Sequence, residues 1–89
     1  MSIETYMNHP NFGLLFRVCP VEENQELFTT LYAQRLFFLV THGSTGLKFE
    51  PVGRSDAKLA VELRLRMLRR VGQLDEYKKL QAIHQQTFQ

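Results

Sequence analysis

The sequence predicts an α+β fold in which a small, strongly bent antiparallel sheet or SH3-like barrel is followed by two C-terminal α-helices. Three observations carry this. Short runs rich in aromatic and β-branched residues fill Phe12–Glu50, separated by turn formers. A Gly- and Pro-free run with helix-end signals occupies Ala57–Val71, and beyond Gly72 the residues Leu74, Tyr77, Leu80 and Ile83 recur at helical spacing. With 89 residues, 44 % hydrophobic and 22 % charged, the composition is that of a small globular protein and excludes a disordered one.

The strands follow in order. Phe12–Cys19 alternates loosely, with Leu14, Phe16 and Val18 assigned to one face and Arg17 to the other. Pro20–Asn24 reads as a break. Leu27–Tyr32 and Leu36–Thr41 are the next two strands, joined through Ala33, Gln34 and Arg35. Gly43-Ser-Thr-Gly46 then makes a hairpin loop into Leu47–Glu50, with Leu47 and Phe49 expected inward, and Pro51 suits the end of an edge strand. Four short strands result.

The helices have their own signals. Ser55 is the expected N-cap of the first, Asp56 suits the positive end of its dipole, and Arg69 and Arg70 suit the last turn before a C-capping Gly72. Glu62 and Arg66 are spaced for an i, i+4 pair. The second helix is expected over Leu74–Gln86. Neither helix is long enough to be stable alone, since isolated helices of about 12–15 residues are marginal in water. They must pack on each other, on the sheet or on a partner.

The formal charge of +2 conceals a division. Residues 1–53 hold three Lys/Arg against five acidic residues, whereas residues 54–89 hold eight against four. Eight of the ten Phe and Tyr residues precede residue 50. The expected organisation is a β domain over 1–53 with a helical hairpin over 54–89 as its appendage.

Several function classes find little support. The longest uncharged stretch, Leu36–Leu47, is too short and too polar to span a bilayer. Met1–Pro10 carries Glu4 and no basic residue, unlike a secretory leader, so the expected setting is cytoplasmic. Cys19 is the single cysteine and reads as a small buried hydrophobe. His9, His42 and His84 lie far apart, without the three-ligand pattern of catalytic zinc. His42-Gly-Ser-Thr-Gly46 superficially looks like a phosphate loop, but it leads into a strand rather than a helix N-terminus. No catalytic residue, metal or cofactor is expected.

Binding chemistry is better represented. Arg64, Arg66, Arg69 and Arg70 can contact phosphates, which makes a nucleic-acid-binding module using the basic helix over 54–70 the alternative function. Glu62, Asp75 and Glu76 interrupt that patch, and a solvated face explains such residues equally well. In Tyr32–Thr41, alternation places Leu36, Phe38 and Val40 on one face and Arg35, Phe37 and Leu39 on the other. Both faces are largely apolar, so something must cover the second one. The two helices can do so; alternatively Tyr32 and Arg35 belong to an exposed binding patch, being typical interface anchors. Periodicity leaves both open.

The segments Asn8-His-Pro-Asn-Phe-Gly-Leu-Leu-Phe-Arg17 and Val21–Thr41 resemble the cyanobacterial PII-interacting (PipX) family. The likeness continues through Lys48-Phe-Glu-Pro51, Arg54-Ser-Asp-Ala57, Leu68-Arg-Arg70 and Leu80-Gln-Ala-Ile-His-Gln-Gln-Thr-Phe88, covering nearly the whole chain. The resemblance implies a Tudor-like sheet followed by two helices, and a monomeric regulatory adaptor without catalysis. It implies two alternative partners: the PII signalling trimer, met through its T-loops, and the 2-oxoglutarate-bound nitrogen regulator NtcA, a dimer of the cyclic-AMP receptor protein family. On that basis the shared surface comprises Tyr32, Gln34, Arg35, Leu36 and Phe38, with Glu4, Tyr6 and Arg17 as additions. Arg54 and Arg69 are secondary partner contacts from the helical side. No small-molecule ligand, membrane or direct nucleic-acid contact is implied.

Overall fold

A computed structural model of the chain describes residues 6–31 and 36–88. Five strands, β1 Tyr6–His9, β2 Gly13–Glu22, β3 Gln25–Thr30, β4 Phe37–Gly43 and β5 Gly46–Val52, precede two helices, α1 Arg54–Arg70 and α2 Leu74–Phe88. The strands pair antiparallel in chain order, so β1 and β5 are the edges. The sheet nevertheless curls into a half-barrel, because the rings of His9 on β1 and Phe49 on β5 meet edge-on with centroids 5.0 Å apart. The expected class is met, a bent antiparallel sheet followed by two helices.

Beyond shifts of one or two residues at the ends of β3, β4 and β5, the strands differ from expectation in two ways. β1 was not anticipated, because Tyr6–His9 carries too few apolar residues to display a period of two. β2 continues through Pro20 to Glu22, where a break was expected, and the turn lies at Glu23 and Asn24. Register shifts between Arg17 and Cys19 and between Pro20 and Glu22 explain this: each is a bulge that bends the strand without ending it. The first bulge also resets the alternation. Leu15, rather than Leu14, is the fully buried residue, while Val18 and Cys19 both join the helix-side core. Leu47, expected inward, is exposed beside the two-residue turn of β4 and β5. Pro51 sits near the end of edge strand β5, where a missing amide hydrogen costs no ladder bond on the open side.

The sheet is apolar on both faces, and each face has its own cover. Leu15, Phe28, Phe38 and Val40 form a buried cluster inside the curl, closed by Met7 and Phe49 from the two edge strands. Val18, Cys19, Leu27 and Phe37 face the helices and pack with Ala57, Val61, Leu68, Leu80 and Phe88. The helices therefore cover the Phe37 face, and the curl itself covers the Phe38 face.

Gly53, not Ser55, is the N-cap of α1, and no side chain caps that end. β5 runs to Val52, leaving one residue in extended conformation before the first helical bond, Ala57 N–H to Gly53 O at 2.9 Å. The other end closes as expected around Gly72, at φ +79. Its N–H donates to Arg69 O, and Gln73 N–H donates to Leu68 O at 2.9 Å, the paired bonds of a Schellman turn. The Gln73 carbonyl then accepts the Tyr77 N–H and opens α2. Leu74, expected on the buried side, is exposed at that turn, and α2 extends to Phe88 rather than Gln86.

Candidate functional site

Antiparallel order brings the β1–β2 turn, the β3–β4 connection and the start of α1 to one end of the sheet. The connection is pinned on both sides. Leu31 N–H donates to Leu14 O at 3.0 Å. Past the connection, the Leu36 carbonyl accepts from Thr30 N–H at 3.1 Å and from the Thr29 hydroxyl at 2.9 Å. Tyr32, Gln34 and Arg35, three of the residues named for partner binding, fall between these anchors but lie outside the described residues, as does Glu4.

The described members divide by exposure. Leu36 is 46 % exposed and Tyr6 49 %, so both offer apolar surface. Phe38 is 4 % exposed and belongs to the cluster inside the curl. Phe12 was missed: it is 45 % exposed, and its ring lies 5.1 Å from that of Phe38. The signal was present, since an aromatic residue just before Gly13 in a turn has no strand face to occupy. His9 completes this corner, its Nδ1 accepting from the Asn11 and Phe12 amides at 3.0 and 3.3 Å. Phe12 and Leu36 thus expose apolar surface at this end, while Tyr6 lies against Phe16 on the helix-facing side of the sheet.

Arg17 is engaged within the sheet. Its Nε donates to Glu26, whose other carboxylate oxygen meets His42 Nε2 at 2.9 Å, linking β2, β3 and β4. Partial burial pushes the Glu26 carboxyl up, but hydrogen bonds and charge from Arg17 and His42 outweigh that and hold it below its ordinary 4.5. A depressed folded pKa gives stability that is present above 4.5 and lost as pH falls through the lower folded value. Thermal unfolding followed from roughly pH 5 to pH 3 should therefore show a steeper loss for the native chain than for Glu26→Gln. Equal slopes would place the acid sensitivity elsewhere.

The helical side contributes Arg54, whose guanidinium lies 5.4 Å from the centre of the Phe88 ring, beside Phe37. Arg54 thus stands at the same end of the sheet as Leu36. Arg69 does not: fifteen residues along α1, it is roughly 22 Å away along the helix axis. Glu62 meets His84 of α2 at 3.1 Å instead of pairing with Arg66, because the interhelical partner reaches it first. Cys19 is buried, and burial pushes its thiol up to about 11 against the lowering influence of Arg64 and Arg17, so it stays protonated at neutral pH.

Among the described residues no three His, Cys, Asp or Glu side chains are grouped to hold a metal ion, and no helix is long and apolar enough to cross a membrane. What the geometry leaves exposed at this end is apolar surface at Phe12 and Leu36. A comparison with curated proteins gives no match. The family model described as PII-interacting protein X, by contrast, matches residues 3–88, nearly end to end, and takes in every element of the sheet and both helices. The chain belongs to the PipX family, a family of PII-interacting regulatory proteins rather than of enzymes.

Proposed function

We propose that the chain is a non-enzymatic adaptor shared between two partners, the PII signalling trimer and the 2-oxoglutarate-bound NtcA dimer, for which it acts as transcriptional coactivator. The family match over residues 3–88 carries this reading. The exposed apolar side chains of Phe12 and Leu36, at the end of the sheet where β3 leads into β4, support that end as the place of contact. Leu36 and Tyr32 supply buried area, worth about 1.5–3 kcal/mol for a fully covered large apolar side chain, and Arg35 a planar donor fork. Gln34 and Glu4 complete the shared surface, Phe38 supports it from inside the curl and Arg17 borders it, with Arg54 and Arg69 touching a partner from the helices. The β part, 1–53, carries the main contact and 54–89 the secondary one, in a cytoplasmic monomer.

Linkage supplies the regulation. An adaptor that binds the active form of a regulator better than the inactive form shifts it toward activity, and must tighten effector binding by the same factor. One surface serving two partners makes the two complexes mutually exclusive. PII then holds the adaptor through its T-loops when 2-oxoglutarate is scarce and releases it when the effector is plentiful.

The test is binding of the purified chain to PII by interferometry, first with ADP and then with ATP plus 2-oxoglutarate. Tight binding in ADP that is lost with the second pair is expected. Leu36→Glu and Tyr32→Ala should each weaken it by about tenfold or more at unchanged melting temperature. Binding that ignores the effectors, or variants that bind normally, would overturn the reading.

A further inference from the structure

A second surface lies on the helix side, where the bulged half of β2 meets both helices. Two adjoining cavities of ≈ 290 and ≈ 280 Å³ open there, and Arg64 and Pro20 line both. The bulges of β2 border them, Val18 at the first and Val21 at the second. The first cavity is walled by Val18, Leu80 and Ile83, the second by Val21, Leu63 and Met67. Neither cavity is lined by Tyr6, Phe12, Leu36 or Phe38; Arg17, held by Glu26, borders the first one together with Lys79.

Arg64 stands between the cavities, half-buried, on the middle of α1. Among the described residues the ion pairs are Arg17–Glu26, His42–Glu26 and His84–Glu62, so the Arg64 guanidinium has no carboxylate partner. A charge-assisted bond to a carboxylate is roughly twice as strong as a neutral one, and an arginine fork fits it in two-point geometry. A cation between two apolar hollows is complementary to an acidic side chain between two apolar ones. Phosphate is a poorer match, because Arg66, Arg69 and Arg70 are exposed outside the cavities, and the carboxylates of Glu76 and Glu22 line them.

We propose that this seam is a docking groove for an extended segment of a partner protein in which an acidic residue is flanked on both sides by apolar residues. The acidic side chain meets Arg64, and its neighbours fill the two cavities. Glu22 and Glu76, on the outer walls, disfavour further acidic residues at the ends of the segment.

The experiment pans a display library of randomised peptides against the intact chain, then titrates the recovered consensus, fluorescein-labelled, by anisotropy. The expected consensus is acidic in the middle and apolar on both sides. Its affinity should fall about tenfold or more with Arg64→Gln and with Leu63→Glu, two substitutions at incompletely buried positions, at unchanged melting temperature. PII binding by both variants should stay at the level of the native chain, which separates this groove from the first surface. A consensus without an acidic residue, or one indifferent to both substitutions, overturns the proposal. So does self-association or duplex-DNA binding that disappears with Arg64→Gln, since the groove would then belong to a second copy or to phosphates.

Discussion

Phe28→Ala should lose about 3–5 kcal/mol of stability, the range for removing a buried aromatic ring. A chain of 89 residues holds only about 4–13 kcal/mol in total, so the variant should lose a large share of its stability. The size of the effect follows from position. Phe28 is fully buried among Leu15, Phe38 and Val40 inside the curl, on the middle strand of the sheet. No helix covers this face, so no rigid element can slide in to fill the space, and the cavity persists. Urea unfolding followed by circular dichroism measures it, with Phe28→Leu as a partner variant losing less. A loss below about 1 kcal/mol would show that the two edge strands collapse onto the gap.

Phe88→Ala should lose less in total and reveal more about organisation. Phe88 is the last residue of α2, buried, with its ring stacked on Phe37 at 5.3 Å and 18° and under the Arg54 guanidinium. It fastens the far end of a helix that is marginal alone. Removing the ring costs up to about 3 kcal/mol, and that loss should appear locally. Hydrogen exchange should accelerate in residues 81–88 while β2, β3 and β4 keep their protection. Equal acceleration throughout the sheet would instead show that the helices and the sheet open as one unit.

Legibility in the sequence tracked how much of each element depends on its own residues. The helices were clear because Gly72, Arg69 and Arg70 mark an end locally, and the structure places a Schellman turn there. The start of α1 was misplaced because Ser55 is a good cap in isolation, whereas the length of β5 decides where the chain leaves the sheet. Pro20 was a sound stop signal on local grounds, overridden by bulges that only the pairing with β3 defines. At the proposed contact end, Leu36 is exposed and Phe38, named beside it, is buried. Alternation put Phe38 on the opposite face from Phe37 but held no information about the curl that buries it. Phe12 escaped notice as an exposed residue, and Arg64 stood out only as one of four arginines able to contact phosphates, because their surroundings come from distant parts of the chain.

The two-sided burial of β4 has a consequence for how the strands find their alignment. A one-residue slip normally turns an apolar face toward water, and that penalty fixes the pairing. In Leu36-Phe-Phe-Leu-Val40 a slip exchanges one large apolar residue for another on both faces, so hydrophobicity is nearly silent about it. Alignment falls to polar marks: Gln25 with Thr41 at 3.2 Å, Glu26 with His42, the Thr29 hydroxyl on Leu36 O, and the tight turn between Gly43 and Gly46. The most apolar strand of the protein thus takes its address from its hydrophilic neighbours.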